Sequence, residues 1–171
     1  FNFILSNLII FVGALSNFYL MFFYKKPVLS NATSFNFLSL DILQLSALLY
    51  LSGGILNPFS IFLLIPSVFA ASNLNIRTNI ALILITLASI IFLTFYHYEL
   101  PKPLDEYSIS LYYYYAIPLA LIIALFFLNY FAFIFGQETN LRKDALDKIQ
   151  EVISKEHELV SLGGQAAAAA H

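Results

Sequence analysis

Five apolar runs, at 3–24, 35–51, 59–72, 79–98 and 109–135, constrain what this chain can fold into. A spanning helix needs about 20 predominantly apolar residues, with about 17 tolerable. The run 59–72 is short and Pro66 interrupts it, but Pro58 and residues 71–76 extend it. No alternating strand pattern appears. Lipid offers no partner to an open backbone, so helices are the spanning form that fits. Hydrophobic residues make up 60% of the chain and charged residues 11%, more apolar surface than a soluble interior of this size can hide. The expected fold is all-α: a polytopic membrane helical bundle of five spans in domain 1–135, solvated by membrane lipid.

The chain starts at Phe1, and its only methionine is Met21. We therefore expect it to begin inside a longer protein, and since five spans with a cytoplasmic C-terminal end leave Phe1 outside, a sixth, upstream span is expected. Residues 1–21 lack the basic n-region and small-residue cleavage site of a signal peptide. There is no cysteine, which excludes disulfides and thiol redox chemistry within these residues.

The basic residues set the expected orientation. With the last span exiting into the cytoplasm, Arg142, Lys143, Lys148 and Lys155 lie inside, and alternation adds Lys25, Lys26 and Arg77. Only Lys102 falls outside, in keeping with the positive-inside rule. Tyr50, Tyr96, Tyr98, Tyr107 and Tyr112 to Tyr115 gather at the outer ends, where amphipathic rings suit the headgroup level.

Between the second and third runs lies Gly53-Gly54-Ile55-Leu56-Asn57-Pro58-Phe59, a break without charge. The orientation puts it on the outer, periplasmic face. Gly53 and Gly54 allow positive φ and close backbone approach. Pro58 forbids an ordinary helical continuation and holds Asn57 extended. Asn57 could donate to a ligand carbonyl and Phe59 could stack on a ring, which suits a neutral carbonyl ligand arriving through lipid. Alternatively, the segment is a rigid hairpin in which Asn57 caps the following helix.

After Gly136 the composition changes. Residues 136–162 are charged and rich in helix formers. Leu146, Ile149, Ile153 and Val160 recur at heptad positions, with Glu156 at a d site; Ala145, Val152 and Leu159 mark a second stripe. This reads as a cytoplasmic parallel coiled-coil linker of weak register, or as a lone amphipathic helix. Gly163 and Gly164 loosen the linker before a run of five alanines and His171, so 163–171 reads as the start of a further helix.

Asp41 is the one acid within a run, and a carboxylate at a helix centre costs roughly 2.5–3.5 kcal/mol by insertion scales. Gln44 shares its face at i+3. The pair reads either as a signalling or packing contact within the bundle, or as a snorkelling or protonated carboxyl paired with Gln44. His97 and Glu99 read as an exposed interfacial pair, with a proton-linked role as the alternative. Asn31-Ala32-Thr33 matches a glycosylation pattern but falls in an expected cytoplasmic loop. There is no metal-ligand spacing, no phosphate-cradling loop and no nucleic-acid footprint.

Gly53-Gly54-x-x-Asn57-Pro58-Phe59 resembles the GGxxNPF motif of the RegB/PrrB/ActS-type redox-sensing histidine kinases. The stretch Phe37-Leu38-Ser39-Leu40-Asp41-Ile42-Leu43-Gln44-Leu45 and the terminal Leu162-Gly163-Gly164-Gln165, alanines and His171 are similar to that family as well. The resemblance implies six transmembrane helices in the bacterial inner membrane. It implies ubiquinone bound at Gly53, Gly54, Asn57, Pro58 and Phe59. It also implies a homodimer with His171 as phosphoacceptor, ATP bound in a downstream domain, and transfer to a response regulator. This stretch alone would lack kinase activity. The competing readings are part of a membrane transporter or quinone-using enzyme, or a sensor kinase that answers a different signal. A transporter would place its broken helices nearer the midplane.

Overall fold

The computed structural model describes residues 3–23, 30–98 and 110–170. Among them every regular element is helical: α1 (Phe3–Phe23), α2 (Asn31–Leu51), α3 (Ile65–Asn73), α4 (Ile76–Phe95) and α5 (Leu111–Ala170). Two 3₁₀ segments, Gly54–Leu56 and Pro58–Leu64, join α2 to α3. The chain divides into two compact units, Phe1–Phe133 and Ile134–His171.

The helix ends follow local chemistry. Ser30 caps α2 by accepting from the Thr33 amide at 3.2 Å, so the helix starts four residues before the apolar run. Asn31-Ala32-Thr33 therefore forms the first turn of α2, not the loop expected from sequence. Asn75 caps α4 in the same way, accepting from the Thr78 amide at 2.8 Å. The two capped ends meet where the Asn75 amide donates to Asn31 Oδ1 at 3.3 Å.

The third apolar run is solved differently from its neighbours. Asn57 caps a 3₁₀ stretch that begins at Pro58 and lasts seven residues before α3 takes over. Pro66 has no N–H to give the Phe62 carbonyl, which instead accepts from Ile65 in a 3₁₀ bond. A 3₁₀ turn rises about 2.0 Å per residue against about 1.5 Å in an α-helix, so Pro58–Asn73 reaches roughly 27 Å instead of about 24 Å. That brings a short segment close to the ~30 Å hydrocarbon thickness. Among the described residues, α1, α2, α4 and the apolar part of α5 are long and apolar enough to cross a membrane unaided.

In the first unit the core gathers Ile42 and Leu49 of α2, Ile55, Leu63 and Leu64 of the 3₁₀ segments, Leu82, Ile90 and Leu93 of α4, and Leu121 and Leu125 of α5. α1 leaves most of its apolar side chains exposed, as a lipid-facing helix does. Its close approach to α2 is made at Gly13: a methyl group there would fall 2.0 Å from the Gln44 amide. Gln44 thus lies across bare α1 backbone, and it makes no hydrogen bond with Asp41, contrary to the i+3 pairing read from sequence.

In the second unit the polar helix carries two i,i+4 ion pairs, Arg142 with Glu138 and Lys155 with Glu151. Leu146, Ile149, Val152, Ile153, Leu159 and Val160 are exposed on it.

Candidate functional site

The break at 53–59 is built from backbone outward. Gly53 adopts φ 98° and Gly54 φ 63°, both left-handed, where a side chain is strained. These two residues reverse the chain at the end of α2. Asn57 then closes the turn with its whole amide. Nδ2 donates to the Ser52 carbonyl and to Ser52 Oγ, each at 2.9 Å, and Oδ1 accepts from the Phe59 amide at 2.9 Å. The Ser52 hydroxyl donates onward to the Leu48 carbonyl at 2.8 Å.

An amide has two hydrogens, and both of Asn57's are committed within the hairpin. The side chain read from sequence as donor to a ligand carbonyl therefore has none to offer in this conformation. The capping role, read as the alternative, is the one the geometry displays. Pro58 and Phe59 are exposed; the Phe59 ring lies 5.8 Å from that of Phe62, tilted by 36°.

Sequence reading gave His97 to an exposed pair with Glu99. Glu99 lies outside the described residues, and His97 is only half exposed. Its ring rests on Gly54, where a Cβ would come within 2.6 Å of His97 Cβ and Cγ. His97 Nδ1 lies 3.2 Å from the Leu93 carbonyl. The next residue ties the same end of the bundle together: the Tyr98 amide donates to the Tyr50 carbonyl at 2.8 Å. Tyr98 meets Tyr50 edge-on at 5.4 Å, and Tyr50 stacks with Phe92 at 6.0 Å. Tyr114, at the start of α5, donates its hydroxyl to the Thr94 carbonyl. The tyrosines expected to form a headgroup belt thus also pin the ends of α2, α4 and α5 around the glycine turn. The sequence singled out His97 only as half of an interfacial pair or for a proton-linked role; its seat on Gly54 was not marked.

Leading away from Tyr50 and Phe92 is a lipid-facing slot of about 530 Å³ between α2 and α4. Leu43, Ser46 and Ala47 line one wall, and Ile85, Ala88 and Ser89 the other. A second slot, about 460 Å³, lies between Pro58–Asn73 and α5, lined by residues including Phe62, Phe69, Leu128 and Ala132. Small and apolar walls of this kind take hydrocarbon.

Deeper in the first unit, Asn129 of α5 is buried. Its Nδ2 donates to Ser67 Oγ of α3 at 3.3 Å and to the Leu125 carbonyl at 2.8 Å. This link between α3 and α5 was not anticipated from sequence; a lone asparagine in an apolar run was the available signal. Asp41 is half-buried on α2, about three turns before the glycine break. His171 lies outside the described residues.

No protein-family model matches the chain. No solved structure matches it either. Among curated proteins, the sensor histidine kinase RegB of Cereibacter sphaeroides is 34% identical over 134 residues, which is 77% of this chain and 29% of that protein. The chain thus spans less than a third of the length of the relative it matches.

Proposed function

The chain is a RegB-type sensor kinase region, and we propose that it monitors redox state through a quinone, ubiquinone by the family resemblance, bound at the 53–59 turn. The ring would lie by Phe59 and the two glycines. The isoprenoid tail would occupy the slot between α2 and α4, whose Tyr50 end adjoins the turn. The observation that carries this reading is the turn itself: two left-handed glycines followed by an exposed aromatic ring.

Binding would shift the packing of α2, α4 and α5, and a ligand moves such an equilibrium only by its differential affinity for the two states. α5 would carry the change into the exposed apolar stripes of 136–162, which pair in a homodimer. The geometry of that pair would govern whether His171 reaches ATP on a further domain, accepts the γ-phosphoryl group and passes it to a response regulator. The protein would sit in the bacterial inner membrane with its C-terminus cytoplasmic and the 53–59 turn periplasmic.

Titration of ubiquinone into the protein in nanodiscs tests the reading. Phe59→Ala should weaken binding about tenfold if a ring stacks there. Wild-type protein that binds no quinone would sink it.

One observation favours a second reading. Because Asn57 is wholly engaged in closing the hairpin, the turn also serves as a rigid strut in a sensor of a different signal. In that case Asn57→Ala and Phe59→Ala lower stability while quinone affinity stays unchanged.

A further inference from the structure

We propose that Pro118 is a joint built into α5: the turns above it, held by Tyr114, stay fixed to the end of α4, while the length of the span below it changes tilt. This is independent of the quinone reading above. It names where the last span moves and what holds its other end still.

The hold comes from an unfinished helix end. α4 stops at Phe95, so its last carbonyls take partners from elsewhere. A continued helix would offer the Thr94 carbonyl the amide of Tyr98. That amide donates instead to the Tyr50 carbonyl at 2.8 Å. The Tyr114 hydroxyl of α5 donates to the Thr94 carbonyl in its place. The Thr94 hydroxyl is committed to the Ile90 carbonyl at 2.8 Å and offers no substitute. Tyr114 thus caps α4 from the neighbouring helix, and its side chain is half-buried there.

The next turn of α5 is where the helix loosens. Pro118 lies inside α5 and has no N–H to give the Tyr114 carbonyl, and its ring crowds that carbonyl. Sharp bends in helices gather at such prolines. Above it the winding is intact, since the Tyr114 amide donates to the Ser110 carbonyl at 3.2 Å. Tyr114 is therefore bound to α4 through its side chain and released from the turn below through its backbone.

Below the proline, α5 rests on one face. Leu121, Leu125 and Asn129 are buried at helical spacing, while Leu119, Ile123, Phe126 and Phe127 are exposed. Leu121 and Leu125 join the core, and Asn129 reaches Ser67 at 3.3 Å. A stiff helix could change its tilt over this face only by drawing Tyr114 off the Thr94 carbonyl. A joint at Pro118 removes that conflict. Phe133 lies about 22 Å beyond Pro118 along the helix, so a tilt of about 10° moves it by about 4 Å.

The chain has no cysteine, so spin labels attach only where cysteines are introduced. Leu84, Leu111 and Phe127 are exposed and suit labelling. Pulsed electron resonance on the protein in nanodiscs gives the distance distribution for each pair. The pair at Leu111 and Phe127 spans Pro118 and should be broad. Pro118→Ala restores the missing N–H and should narrow it to about half its width. Pro118→Leu should do the same, which covers a failure of the alanine variant to fold. The pair at Leu84 and Leu111 links α4 to the top of α5 and should be narrow. Tyr114→Phe keeps the ring, removes the hydroxyl and should broaden this pair about twofold, leaving the first pair unchanged. Equal widths for Leu111 and Phe127 in wild type and both proline variants would overturn the joint. A Leu84–Leu111 width that ignores Tyr114→Phe would overturn the hold, and the proposal with it.

Discussion

His97 rests on Gly54 so closely that a single methyl group on the glycine would lie 2.6 Å from the imidazole Cβ and Cγ. Gly54→Ala must therefore move the histidine and also adopt a left-handed φ of 63°. The two costs together should destabilise the first unit by about 2–4 kcal/mol. Gly53→Ala meets the conformational cost of its left-handed backbone, about 1–2 kcal/mol. Thermal unfolding in detergent, followed by helical circular dichroism, should rank Gly54→Ala below Gly53→Ala; equal midpoints would deny the contact its importance.

Asn57→Ala removes three hydrogen bonds from one hairpin. A loss of about 2–3 kcal/mol is expected, with the partly buried Ser52 groups losing their donor. Ser52→Ala removes only the hydroxyl and should lose about 1 kcal/mol. Denaturant or thermal melts of the two variants, combined with the double mutant, would give the coupling between the residues. Additive losses would contradict their direct bonding.

Gly13 and Gln44 offer a reciprocal test across helices. Gly13→Leu should detach α1 from α2, because the side chain would occupy the Gln44 amide's position. Gln44→Ala should relieve most of that defect in the double mutant, since the obstructing atoms are the end of a flexible side chain. Protease sensitivity of the connection between α1 and α2 provides the readout. A double mutant as sensitive as Gly13→Leu would show that the backbone, not Gln44, sets the fit.

Ser67→Ala should have a small effect despite its burial. Interhelical hydrogen bonds in membrane proteins average about 0.6 kcal/mol, and the Asn129 amide retains its bond to the Leu125 carbonyl. Asn129→Leu should change stability by no more than about 1 kcal/mol for the same reason. A loss of several kcal/mol would assign the pair a larger structural part than its 3.3 Å separation suggests.

Cysteine placed at Ile149 or Ile153 should trap a symmetric dimer in mild oxidant, because the exposed stripe on that helix is then buried against a second copy. Persistence of the monomer at both sites would contradict the pairing.

The helical class and the positions of the apolar runs were legible because lipid leaves the backbone few options. The left-handed glycines and the capping geometry of Asn57 were legible too, since each follows from a residue and its immediate neighbours. The placement of His97 was not: it and Gly54 are far apart in sequence, and their contact depends on how α2 and α4 pack. Gln44 misled for the same reason. Helical spacing placed it beside Asp41, while the groove of α1 at Gly13 offered its amide a better seat. Composition likewise hid the change from 3₁₀ to α winding, where the Phe62 carbonyl, denied an N–H by Pro66, accepts from Ile65 instead.

The winding of Pro58–Leu64 has a mechanical consequence. If these seven residues rewound as α-helix, the segment would shorten by about 3.5 Å and its far end would rotate by about 140°, from the differences in rise and in residues per turn. The longer form fits a thick bilayer and the shorter form a thin one, because hydrophobic mismatch penalises the other length. Between the glycine turn and α3, such rewinding would act as a screw, turning a change of lipid thickness into a rotation of α3.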